Sequence, residues 1–332
     1  MVTLHYSFRR SVTLAIFLTL ASGQWIAQAS GFSSADIRRL RSVGEVAMSP
    51  DGSRIAYSIV TQDGPGRPAG DLWIMNVTDR SARKLCPANQ RCGGAVWSPN
   101  GEWIAYSGGA GEQSGLHVAR PDGSGDRFIA KTSGTNNPLP TMGATVAWSP
   151  DSKRVAFVNA VPGPETADAG GDPVVITRYL YKPDADEGLT RFNDNRRLHI
   201  FLWDSANGGV KQLTSGDHYE HSIDWSPNGE EIAFVSNREP NEDQFFNYDL
   251  FALRVSDGHM RRITATESAE YRPRWSPDGK TLLYQGTKRG LTDLETTMED
   301  THVWLINADG SGRRELGAHI DNRQGAPVWS AD

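Results

Sequence analysis

Five phrases decide the fold: AMSPDGSRIAYS (47–58), VWSPNGEWIAYS (96–107), AWSPDSKRVAFV (147–158), DWSPNGEEIAFV (224–235) and RWSPDGKTLLYQ (274–285), with the opening of a sixth, VWSAD, at 328–332. Each reads as one β-hairpin. Pro at the second turn position has the φ that a type I turn needs, and Gly in the left-handed position completes a bulged hairpin. The apolar residues that follow alternate, as in Ile55, Tyr57 and Ile59, which is the two-residue period of a strand. Ser152 stands where the other complete repeats have the turn glycine, so that turn is expected to carry some backbone strain.

A second hairpin follows each first one: DLWIMNVTDRSARKL (71–85), GLHVARPDGSGDRFI (115–129), HIFLWDSANGGVKQLT (199–214), DLFALRVSDGHMRRIT (249–264) and HVWLINADGSGRREL (302–316). Asp-Gly or Asn-Gly in most of these turns is the strongest short-range hairpin signal. Two hairpins per repeat make a four-stranded antiparallel sheet, and a series of such sheets around an axis is a β-propeller. The expectation is an all-β chain of five complete blades and the start of a sixth. Trp97, Trp148, Trp225, Trp275 and Trp329 occupy equivalent places on the first strands, where large aromatic area packs blade on blade.

Outside the repeats, the N-terminus has the order of an export signal. Arg9 and Arg10 precede an apolar stretch from Ser11 to Ser22, and Ala27-Gln28-Ala29 has the small-x-small pattern of a cleavage site. Residues 1–29 are read as a signal peptide, with an uncleaved anchor as the alternative, 30–45 as a lead-in helix, and 46–332 as a propeller incomplete at its C-terminal end. No membrane span is expected after signal cleavage. Cys86 and Cys92 are the two cysteines, and in an exported chain a small disulfide loop is the reading their spacing favours over two free thiols or a metal site. The formal net charge of -6 gives no basic excess for nucleic acid, which is not expected as a partner.

Function is expected on one face of the disc. The hairpin turns are tight, and the length variation falls in the connections 61–70, 131–145, 159–198, 237–248 and 286–301, where irregular loops on a rigid scaffold concentrate binding residues. From Ser149 to Ser226 the interval is 77 residues, against 49 to 54 elsewhere. That insertion holds VVITRYLY, read as an extra strand, together with Arg178, Tyr179, Tyr181, Arg191, Arg196 and Arg197, a cationic and aromatic group suited to carboxylates or a peptide terminus. The competing reading is a loop of solvated charges and packing tyrosines. His218, Glu220 and His221 lie in GDHYEH, read as a surface connection. As a metal site this lacks an identifiable third ligand, so neither metal nor cofactor is expected. The chain contains no Gly-x-Ser-x-Gly elbow and no strand-helix alternation to hold one, so no catalytic residue is assigned.

The WSPDG-x-x-IAF repeats resemble those of TolB-type propellers and of the N-terminal propellers of prolyl oligopeptidase-family serine peptidases. SADIRRLRSVGEVAMSPDGSRIAYS, ITRYLYKPDADEG and IAFVSNREPNEDQFFNYDLFAL look like the acylaminoacyl-peptidase-like branch. That resemblance implies a periplasmic or secreted propeller that restricts peptide access to a following hydrolase domain, which would carry the serine, aspartate and histidine. The alternatives are a TolB-like periplasmic scaffold for protein partners and a periplasmic ligand binder.

Overall fold

The computed structural model describes residues 31, 33–62, 69–87, 90–137, 141–169, 173, 175–179, 181, 192–240, 242–244, 247–287 and 300–330. Residues 1–29 and Arg191 lie outside them. A single helical turn, α1 (Ser34–Ile37), is capped by Ser33, whose N–H and hydroxyl both donate to the Asp36 carboxylate. The lead-in is shorter than 30–45: strand β1 (Ser42–Met48) already begins within that span, where Val43 and Val46 favour extended backbone.

Among the described residues, twenty strands form five four-stranded antiparallel sheets. Blade one is β1 with β2 (Arg54–Thr61), β3 (Ala69–Asn76) and β4 (Ala82–Lys84); blade two is β5 (Gly93–Trp97), β6 (Ile104–Gly108), β7 (Gly115–Ala119) and β8 (Arg127–Lys131). Blade three is β9 (Val146–Trp148), β10 (Arg154–Pro162), β11 (Arg196–Asp204) and β12 (Val210–Gln212), with one helical turn, α2 (Thr166–Ala169), in its insertion. Blade four is β13 (Glu220–Trp225), β14 (Glu231–Ser236), β15 (Asp249–Arg254) and β16 (Met260–Arg262); blade five is β17 (Glu270–Trp275), β18 (Thr281–Thr287), β19 (Thr301–Asn307) and β20 (Arg314–Leu316). Within each sheet the strands pair in chain order. The expected extra strand in VVITRYLY is not formed among the described residues; Val175–Thr177 are irregular.

Each SPDG turn is closed by its own side chains. In blade one the Ser49 hydroxyl donates to Asp51 at 2.6 Å and accepts the Arg54 N–H at 2.9 Å, while Gly52 sits at φ 70. Ser152 is held at φ 59, the left-handed region its position in the repeat demands, and its hydroxyl accepts the N–H of Asn100 in the neighbouring blade at 3.1 Å. The strain is thus offset by a bond between blades that glycine could not make.

Hydrophobic clusters fill the spaces between successive blades. Trp97 packs with Leu72 and Ile74, Trp148 with Leu116 and Phe157, Trp225 with Ile200 and Phe251, and Trp275 with Tyr248 and Leu250. The indole N–H adds a directional bond to the preceding blade's first strand: Trp97 to Ala47 O at 3.0 Å, Trp148 to Val96 O at 3.0 Å and Trp225 to Ala147 O at 3.1 Å. Trp329 repeats the bond to Arg274 O at 3.0 Å, so the start of the sixth repeat is already seated on blade five.

Trp275 departs from this pattern. Its Nε1 is buried with no hydrogen-bond partner among the described residues, while its backbone N–H donates to the Asp224 carboxylate at 2.8 Å. Trp225→Phe and Trp275→Phe remove similar apolar area, but only the first breaks an indole bond. Urea unfolding is therefore expected to show Trp225→Phe about 1 kcal/mol more destabilised than Trp275→Phe. Equal losses would show that the indole bonds contribute nothing beyond packing.

Candidate binding face

Ion pairs hold described residues of the blade-three insertion, Arg178 to the blade-four connection and Glu165 to β11. The Arg178 guanidinium forms a two-pronged bond to Asp243, with Nε to Oδ2 at 2.7 Å, and its Nη1 donates to the Tyr219 hydroxyl at 3.1 Å. Burial works against its charge, but Asp243 and Tyr219 together raise its pKa above the ordinary arginine value. His218 Nδ1 lies 2.8 Å from Glu242 Oε2 beside it. Arg197, 2% exposed, donates to Glu165 at 3.0 Å and to Asn195 O at 3.0 Å, and its guanidinium lies 5.2 Å from the centre of the Tyr219 ring. Arg196 is tied to Ser133 and Ala160 O.

These arginines are therefore neither solvated loop charges nor free cations awaiting a carboxylate. They are internal clamps that join residues 163–165, 178, 195–197, 217–219 and 242–243 into one surface. What the clamped surface presents outward is apolar and aromatic: Val175, Ile176, Tyr179, Tyr181 and Phe192 are all exposed, Tyr179 most of all at 67%. The Tyr181 and Phe192 rings lie 6.3 Å apart. Sequence reading selected the two tyrosines but missed Ile176 and Phe192, and it missed Glu165, Glu242 and Asp243 as the acids that consume the arginines.

Glu220 and His221 are interior residues of β13, not parts of a surface connection. Glu220 is fully buried and accepts from Thr214 Oγ1 at 2.9 Å, His199 Nδ1 at 2.6 Å and Arg238 Nη2 at 2.6 Å. The Thr214 hydroxyl in turn accepts the Ile200 N–H at 2.9 Å. The same arrangement recurs one blade later: the Leu250 N–H donates to Thr264 Oγ1 at 2.8 Å, and Thr264 donates to Glu270. Each threonine precedes its glutamate by six residues, and each glutamate lies five residues before the blade tryptophan. Cys86 and Cys92, joined as a disulfide, hold the equivalent positions before Trp97. Before Trp329 the place is taken by Gln324, which accepts the Val303 N–H at 2.7 Å.

Burial sets the titration of two groups here. Burial drives the Glu270 carboxyl up to about 8 and pushes the His221 imidazole down to about 3. Among the described residues no group of three or more His, Cys, Asp or Glu is arranged to hold a metal ion, and no helix is long and apolar enough to cross a membrane.

The unfolded chain releases the Glu270 proton near 4.5 and the folded chain near 8, so this residue makes stability fall as pH rises between those values. His221 acts in the opposite sense: its contribution is lost as pH falls from 6.5 towards about 3. Glu270→Gln is expected to flatten the loss of stability between pH 6.5 and 8 in urea titrations while keeping the acid limb. A variant with the same alkaline slope as the parent would show that Glu270 is already ionised in the fold.

No family model matches the chain. An uncharacterized peptidase, YuxL, of Bacillus subtilis is 26% identical over 231 residues, covering 66% of this chain and 33% of that protein. A TolB homolog of Chlorobium luteolum is 31% identical over 134 residues, 39% of this chain and 27% of that protein. The chain thus spans a third or less of the length of these two relatives. The solved acylaminoacyl peptidase of Pyrococcus horikoshii superposes with a TM-score of 0.59 at 14% identity, over 86% of this chain and 40% of that one. The chain is a β-propeller of the type shared by TolB-like proteins and the propellers of these peptidases.

Proposed function

We propose that this chain is the substrate-binding and access-controlling propeller of an exported serine peptidase, with the hydrolytic residues carried by a separate hydrolase domain. The observation that carries the reading is the clamped long-loop face. Arg178 and Arg197 tie the described residues of the blade-three insertion to internal acids, leaving an exposed patch of Ile176, Tyr179, Tyr181 and Phe192. Rigid aromatic and aliphatic side chains lose little conformational freedom on contact, and such anchors dominate recognition of a peptide or a protein surface. Likeness to a peptidase and to a solved acylaminoacyl peptidase supports the same assignment. An exported setting fits the Cys86–Cys92 disulfide.

A second reading, a TolB-like scaffold whose long-loop face docks a folded protein, is favoured by the 31% identity to a TolB homolog. The two differ in what the patch binds. The purified chain, titrated with a tryptic digest of casein, is expected to bind unfolded peptides, and Ile176→Asp is expected to weaken that binding about tenfold without lowering the melting temperature, since Ile176 is 53% exposed. Peptide binding that is absent, or indifferent to Ile176→Asp, would reject the peptidase reading in favour of the scaffold.

A further inference from the structure

One junction between blades is built differently from the rest. Before Trp97, Trp225, Trp275 and Trp329 the position five residues upstream holds Cys92, Glu220, Glu270 or Gln324, each bonded back across the junction. Before Trp148 that position is Gly143, which has no side chain to reach back. It cannot have one: a Cβ there would lie 2.5 Å from Ser222 Oγ and 2.6 Å from Ser222 Cβ. Among the described residues no such bond closes the junction between blades two and three, and beside it a cavity of about 310 Å³ opens between residues 132–135 and 141–145 and strands of blades three and four.

The walls are set by a short chain of hydrogen bonds. Ser222, at φ 58 in the bulge of β13, donates its hydroxyl to Met142 O, so its oxygen accepts from His221 Nδ1 at 2.8 Å. The Ile223 N–H also donates to Ala144 O at 2.9 Å, which seats the connection on blade four. On the other side Thr135 donates to Asp194 at 2.7 Å and Asn136 to Phe192 O at 2.5 Å, which joins the cavity to the aromatic patch. Met142, Val158 and Leu198 supply apolar lining, and the hydroxyls of Thr132, Thr141 and Thr145 have no partner among the described residues. No Asp, Glu, Lys or Arg lines the cavity, and His221, its one ionisable residue, is held neutral by burial.

We propose that this cavity is a specificity subsite that accepts an uncharged side chain of a peptide lying on the neighbouring aromatic patch and rejects acidic and basic ones. The assignment rests on the peptide-binding reading given above. Its size, at the small end of ligand pockets, suits one or two residues. A charged side chain entering it would find no counter-charge in the lining itself, since Asp194 and Arg196 behind it are already bonded to Thr135 and Ser133, whereas a leucine or methionine would exchange water for the apolar lining.

The test uses the full chain and the capped peptides acetyl-Gly-Gly-X-Gly-Gly-amide, with X as Leu, Met, Asp or Lys, titrated by NMR. The Leu and Met peptides are expected to bind at least tenfold more tightly than the Asp and Lys peptides. Thr145 is exposed at the rim, so Thr145→Asp is expected to fold normally and to move the preference to the Lys peptide. Binding of all four with equal affinity, or a preference unchanged by Thr145→Asp, overturns the subsite while leaving peptide binding by the face intact. If none of the four binds while casein peptides do, the subsite again falls alone; if neither binds, both readings fall together.

Discussion

The structure depends on how each blade is fastened to the next. Stacked sheets bury apolar faces without direction, and each such interface includes a tryptophan of the repeat. Register comes from up to two polar bonds per junction, the first missing at Trp275 and the second missing before Trp148. One is the indole N–H to the previous blade's carbonyl. The other is the latch in which a residue after the fourth strand reaches the third-strand N–H of its own blade and the first strand of the next. Threonine and glutamate do this at the junctions of blades three with four and four with five, a disulfide stands in its place between blades one and two, and Gln324 does it after blade five.

The consequence of having such a neighbour is visible at the start of the chain. In β13 and β17 most residues are buried, whereas β1, with no blade packed on its outer side among the described residues, exposes Val43, Val46 and Met48. The sequence of β1 has the same character as the others, so its exposure reflects the absence of a covering sheet and not a polar strand. Met48 also takes the place of the tryptophan that would donate to a preceding blade.

Fold and site were unequally legible in the residues. Ser-Pro-Asp-Gly turns and alternating apolar residues are local signals, so the blades, their strand order and the packing role of the tryptophans could be read directly. The latch was also written there, as Cys-x5-Cys and twice as Thr-x5-Glu at a fixed distance before Trp. Taken alone, the cysteines read as a local disulfide loop and GDHYEH as a surface connection, so neither points to the junction on its own. The roles of Arg178 and Arg197 were not readable at all. Their acids, Asp243 and Glu165, lie 65 and 32 residues away, and only the folded arrangement of the connections brings them together.

If the latch is one device realised in different chemistries, its parts should be exchangeable between junctions. The most direct measurement is the thermal stability, near pH 6, of the double variant Cys86→Thr with Cys92→Glu against Cys86→Ala with Cys92→Ala. Near that pH the Glu270 carboxyl of the natural latch is protonated, burial raising its pKa to about 8. The Thr/Glu variant is expected to melt clearly above the Ala/Ala variant, recovering part of the stability lost with the disulfide. A Thr/Glu variant that melts no higher than Ala/Ala would contradict the account, because the disulfide would then be a local staple with no relation to the bonds that join the other blades.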